Sequence, residues 1–381
     1  MTGSTDDTAG QVDTVGQVDT VGQVDALLVL SFGGPEGQED VIPFLENVTR
    51  GRGIPQERLE EVATHYRHLG GRSPINDLNR EIIANVEAEL ARRGRDLPVY
   101  FGNRNWTPYL EDTLMRMRDD GVRTAAVFVT SAWGGYSGCG QYHEDIERAR
   151  GAVENAPTLV RLGQFHDHPK FVDRFAADLS RALEDARQLA RDADSDGAGV
   201  GTGGEPRLVF TAHSVPTTAD ATAGPKRLGG HLYSRQVNDA ARLVAAAAGV
   251  DEYDVVWQSR SGPPSVPWLE PDVVDHVRDL ATHQGIRDVV VCPVGFISDH
   301  VEVIWDLDTE LVEDTDDLGV RITRCATPGP SHEFTEMILQ MLDEVETGER
   351  IERLGDVPSL GCTRNGARCA VDCCPAPSRR A

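Results

Sequence analysis

An α/β fold with parallel sheets is predicted by three observations. Residues 26–32 (Ala-Leu-Leu-Val-Leu-Ser-Phe) form a continuous apolar run closed by Gly33-Gly34-Pro35. Unbroken apolar runs suit strands covered on both faces rather than one. Similar runs recur along the chain, and amphipathic helical patterns separate them, which is the alternation of βαβ units.

Taken in order, residues 1–25 come first. They are small and polar, with Gly-Gln-Val-Asp-Thr-Val repeated from Gly10 to Asp25. A hexad this short cannot stack into a solenoid, so this stretch reads as a disordered tail. Strands are predicted at 26–32, 98–101, 124–130, 207–211, 254–257 and 288–292, with helices at 75–93, 108–120, 169–191, 234–248 and 271–284. A Gly/Asp-rich stretch at 192–205 reads as an exposed loop. The boundary between an N-terminal unit (26–165) and a C-terminal unit (166–330) is placed near residue 165. An amphipathic helix around 331–347, within a segment 331–355, is expected to pack back on the first unit. Residues 356–381 are Gly/Cys/Pro-rich.

The 381 residues suffice for two domains, and a hydrophobic content of 39% suffices for their cores. A net charge of −25 opposes binding to nucleic acid. Lys170 and Lys226 are the sole lysines. No apolar run is long enough for a transmembrane helix, and the N-terminus lacks a secretory layout, so a cytoplasmic protein without membrane insertion is expected. Gly33-Gly34-Pro35 and Gly134-Gly135 fit neither G-x-G-x-x-G nor the Walker pattern, so no nucleotide site is expected.

Two segments carry the chemistry. Phe210-Thr211-Ala212-His213-Ser214-Val215-Pro216 and Pro293-Val294-Gly295-Phe296-Ile297-Ser298-Asp299-His300-Val301-Glu302 each follow an apolar strand and end in titratable residues. Ligands of open α/β sheets bind just beyond the C-terminal strand ends. A histidine and a glutamate delivered there form an acid/base pair. Glu302, Asp306 and Glu310 fall at i, i+4 and i+8, which places three carboxylates on one helical face as a path for a divalent cation or protons. Asp308 falls off that face.

These segments resemble the ferrochelatases, which insert ferrous iron into a porphyrin. Leu30-Ser31-Phe32-Gly33-Gly34-Pro35, Gly70-Gly71-Arg72-Ser73-Pro74-Ile75, Ala212-His213-Ser214-Val215-Pro216, Trp257-Gln258-Ser259-Arg260 with Gly262-Pro263 and Trp268-Leu269, and Pro293 to Glu302 occur in the family's order. The resemblance runs from about Leu27 to Leu342 and implies two Rossmann-like domains with a porphyrin cleft between them. It implies that His213 and Glu302 are the catalytic pair, accepting pyrrole protons and meeting the Fe²⁺ substrate, with Asp306 and Glu310 beside the metal.

Porphyrin propionates need cations, and Arg50, Arg52, Arg72, Ser73 and Arg104 are the candidates. Phe32 and Trp257 are candidates to stack on or wall the ring. Phe32 cannot ligate iron. Thr130 to Tyr136 (Thr-Ser-Ala-Trp-Gly-Gly-Tyr) resembles actinobacterial members, which implies coproporphyrin III as substrate and Fe-coproporphyrin III as product in haem biosynthesis. Protoporphyrin IX is the alternative substrate. A cobalt or nickel chelatase and a non-catalytic haem or iron–sulfur sensor on the same scaffold are the competing functions. Upstream and downstream haem-pathway enzymes are possible partners.

The tail reads Cys362-x6-Cys369-x3-Cys373-Cys374, four of the seven cysteines in the chain. Four thiolates suit zinc or an iron–sulfur cluster. The resemblance implies a [2Fe–2S] cluster held by one internal cysteine, Cys139, and three from the tail. These are Cys362, Cys369 and either Cys373 or Cys374, the x4 spacing favouring Cys374. Cys292 and Cys325 lie in or beside apolar strands and read as buried thiols.

Overall fold

A computed structural model describes residues 21–51, 53–195, 205–262 and 265–376. Most of the N-terminal repeat, Arg52, most of the 192–205 loop and the last five residues lie outside the described residues.

Two parallel four-stranded sheets form the frame. The first contains β1 (Ala26–Ser31), β2 (Val99–Asn103), β3 (Thr124–Val129) and β4 (Thr158–Arg161) in the order β2-β1-β3-β4. The second contains β5 (Arg207–His213), β6 (Tyr253–Gln258), β7 (Asp288–Cys292) and β8 (Arg321–Arg324) in the order β6-β5-β7-β8. Each sheet therefore reverses strand order between its first and third strands. Such a reversal opens a crevice at the C-terminal strand ends. The sequence did not mark β4 and β8, because Thr-Leu-Val-Arg and Arg-Ile-Thr-Arg are short edge strands ending in arginine.

Helices cover both faces, and the predicted ones appear as Ile75–Arg92, Leu110–Asp119, Pro169–Ser195, Leu232–Ala247 and Val273–His283. The final helix His332–Thr347 packs against Ile75–Arg92 and Pro169–Ser195. Ser331 caps it, its hydroxyl accepting from the Phe334 amide. Ion pairs Arg93–Glu336 (2.8 Å) and Arg95–Glu346 (2.6 Å) tie it to the first unit. The largest buried cluster draws on both sheets, joining Val29 and Phe128 to Phe210 and Val290, with Phe334 and Leu342 from this helix.

The predicted tail ends earlier than residue 25. The Val21 amide donates to the Val345 carbonyl at 3.0 Å and Val24 is buried. One Asp25 carboxylate oxygen accepts from the Arg123 and Thr124 amides, both at 3.0 Å.

Candidate functional site: a histidine–glutamate cleft and a cysteine cluster

His213 is the last residue of β5 and Glu302 follows β7, the two strands between which the second sheet reverses. The topology alone thus brings them together. His213 Nε2 lies 3.8 Å from Glu302 Oε2, and both side chains are partly exposed. His213 Nδ1 faces the Ser214 carbonyl, so Nδ1 carries the proton and Nε2 is left as the acceptor. The Tyr233 hydroxyl donates to the His213 carbonyl at 2.6 Å, and the Ser214 amide donates to the Gln258 carbonyl at 2.7 Å. The base is therefore held from two neighbouring elements.

The segment after β7 departs from the expected loop. Pro293 cannot donate to the ladder, and β7 stops at Cys292. Glu302 lies in the first turn of a short helix Val301–Ile304, which continues as a π-helical stretch Trp305–Glu310. A π turn spans one more residue than an α turn. Glu302 and Glu310 both lie close enough to Asp306 to act on its carboxyl. Asp306 turns back, half-buried, toward the end of β6, where the Ser259 hydroxyl and Gln258 amide donate to it. Glu310 is exposed. Among the described residues, no three His, Cys, Asp or Glu side chains are already arranged to hold a single metal ion.

Burial pushes the Asp306 carboxyl up to about 7, against the Ser259 hydrogen bond, with Glu302 and Glu310 adding to the rise. The folded chain thus holds a proton that the unfolded chain has lost. Stability then falls as pH rises from the ordinary aspartate range to about 7. Asp306→Asn should raise the urea midpoint above wild type at pH 8, with the gain shrinking toward pH 4. An equal gain at both pH values would contradict this.

Trp305 and His65 form a contact the sequence reading missed. Their rings stack at 4.1 Å with an interplanar angle of 8°, and His68 meets the same indole edge-on at 5.4 Å. This joins the helix Gln56–His68 to the Glu302 helix. Burial lowers the basicity of His65 and of His300. Arg324 was also missed: it clamps Asp299 (2.9 Å) and Asp308 (2.6 Å), fixing the loop against the π stretch. Neither contact has a motif of its own, since each pairs residues from distant segments. Trp133 Nε1 donates to the Gly295 carbonyl at 2.7 Å, linking the loop after β3 to the Glu302 segment.

The remaining candidates scatter. Phe32 is exposed, edge-on to Phe44 at 6.3 Å. Trp257 is 5% exposed and packs in the core against Tyr233. Arg104 is buried, paired with Asp145 and 4.4 Å over the Tyr142 ring, so it presents no free cation. Arg72 pairs with Asp77 at 2.9 Å. Ser73 is buried beside Gly34, where an added Cβ would lie 2.7 Å from it. Arg50 is exposed after the helix Val41–Val48. A cavity of 430 Å³ lined by Arg174, Pro328, Ser331 and Glu333 contains none of these candidates.

A second centre forms around Cys139, which lies on a π-helical turn Tyr136–Gly140. Cys139 hydrogen-bonds Cys374, whose Sγ lies 3.6 Å from that of Cys373. Cys373 contacts Cys369 in turn. Cys374 also accepts from the Gly224 amide at 3.3 Å. Cys362 is half-buried nearby, without a thiol hydrogen bond to the others. Four sulfurs thus converge from a turn after β3 and from the tail. Cys292 and Cys325 are buried elsewhere and hydrogen-bond each other.

A family model described as Ferrochelatase matches residues 24–346. A coproporphyrin III ferrochelatase of Nocardia farcinica is 59% identical over 356 residues, covering 93% of this chain and 97% of the relative. One from Mycolicibacterium smegmatis is 57% identical over 352 residues, covering 91% and 98%. Among solved structures, the sirohydrochlorin chelatase SirB of Bacillus subtilis subspecies spizizenii in complex with cobalt aligns with a TM-score of 0.46 and 11% identity, covering 85% of this chain and 96% of that one.

Proposed function

Since the chain belongs to the ferrochelatase family, we propose that it inserts Fe²⁺ into coproporphyrin III, giving Fe-coproporphyrin III and two protons. The observation that carries the proposal is the His213–Glu302 pair, 3.8 Å apart at the strand-order reversal of the second sheet. Metal insertion breaks two pyrrole N–H bonds and forms iron–nitrogen bonds. His213 Nε2 accepts one proton, its tautomer set by the Ser214 carbonyl. Glu302 accepts the other or meets the incoming Fe²⁺. Asp306 and Glu310 line the approach, where the raised pKa of Asp306 lets it pass a proton near neutral pH.

Arg50 and Arg52 are the arginines we assign to the propionates, with Phe32 against the ring. Coproporphyrin carries four propionates, about twice the anionic charge of protoporphyrin at neutral pH by ordinary carboxyl acidity. Among the described residues no helix is long and apolar enough to cross a membrane. We place the enzyme in the cytoplasm, where other haem-pathway enzymes supply the porphyrin and take up the product.

The sulfurs around Cys139 fit a [2Fe–2S] cluster by their donor chemistry and convergence. Cys139, Cys369 and Cys374 would hold it, with Cys362 completing the set. When bound, such a cluster supplies one-electron chemistry and a tie between the tail and the first sheet.

The test is anaerobic turnover with Fe²⁺ in a weakly buffered indicator solution. Loss of free-porphyrin absorbance should be accompanied by two protons per porphyrin metallated. Tight porphyrin binding without metallation would reject the enzyme and favour a carrier.

A further inference from the structure

Arg161 closes β4 and is 2% exposed. The chain carries 62 acidic residues, and yet among the described residues the Arg161 guanidinium has no carboxylate partner. Its Nη1 instead donates to Cys139 Sγ at 3.0 Å, to the Cys139 carbonyl at 3.3 Å and to His143 Nε2 at 3.0 Å. Its Nε has no partner. Gly361 of the tail lies against the guanidinium, an added Cβ falling 3.5 Å from its carbon. A buried charge without a counter-ion is strongly destabilising. The groups at this place able to supply negative charge are thiols.

The geometry points to Arg161 as the fixed counter-charge of a thiolate-ligated [2Fe–2S] group at Cys139, Cys369 and Cys374. The inference rests on the cluster reading above and assigns it a further residue. His143 accepts an N–H from the guanidinium and so holds it against Cys139. The Gly224 amide donates to Cys374 from the other side. Net charge and hydrogen bonds to sulfur set the potential of such clusters. The reduced form is one unit more negative than the oxidised form. A fixed cation in contact with a ligand sulfur favours the reduced form, and removing it disfavours reduction.

The experiment uses the full chain purified without oxygen as wild type, Arg161→Gln, Arg161→Met and Arg161→Lys. Iron and acid-labile sulfide are counted, and reduction is followed by electron paramagnetic resonance against potential. Both neutral variants should have a lower midpoint by at least a tenfold shift in the one-electron equilibrium, 59 mV. Gln retains donors without the charge, so it separates the two effects. Arg161→Lys keeps the charge and should stay within tenfold of wild type. Circular dichroism establishes folding. Where the neutral variants do not fold, loss of the cluster from folded Arg161→Lys overturns the inference. Unchanged midpoints in folded neutral variants with full iron and sulfide overturn this inference alone. Wild type without iron or sulfide overturns the cluster reading together with it.

Discussion

Replacing His213 by alanine should lower kcat for iron insertion by about 10²–10⁴-fold, the usual contribution of a positioned general base. The affinity for coproporphyrin III, read by fluorescence quenching, should change little. The reason is geometric: the His213 backbone is fixed by β5 and by the Tyr233 hydroxyl, so truncating the side chain leaves the strand end in place. What is removed is the Nε2 acceptor 3.8 Å from Glu302. An equal loss of porphyrin affinity would instead make His213 a binding residue. Unaltered turnover would remove it from the chemistry.

The second large effect is on stability. Phe128→Ala should cost about 3–5 kcal/mol, the range for deleting a buried aromatic side chain. Phe128 lies on β3, is fully buried, and meets Phe165 at 5.3 Å and Phe334 at 5.8 Å. It therefore joins the first sheet to the final helix, which also packs on Pro169–Ser195. The midpoint of urea unfolding should fall accordingly, whereas Phe32→Ala, on an exposed ring, should leave it nearly unchanged. A loss below about 1 kcal/mol for Phe128→Ala would mean that the neighbouring rings close the cavity.

Much of the frame was readable because both sheets use long apolar strands at their centres. Residues 26–32, 124–130 and 288–292 are apolar for the reason given by the structure: their strands are buried on both faces. β4 and β8 escaped because an edge strand needs only a few inward residues. The nearness of His213 and Glu302 was readable because one ends a central strand and the other follows one. The π turn within the carboxylate stretch was not, since residue spacing does not disclose it. The partners of two arginines were hidden for a different reason. Arg72 and Arg104 are spent on Asp77 and Asp145, whose proximity depends on the fold. The burial of Trp257, in a segment that borders the site, was not readable either. The register pairs it with Ala212, and its side chain packs into the core against Tyr233.

The central claim is tested most directly by anaerobic Fe²⁺ insertion into coproporphyrin III beside protoporphyrin IX, comparing kcat/KM under identical conditions. The proposed function predicts clear preference for coproporphyrin III. Preference for protoporphyrin IX would contradict the substrate assignment, and failure to metallate either ring would contradict the enzyme itself.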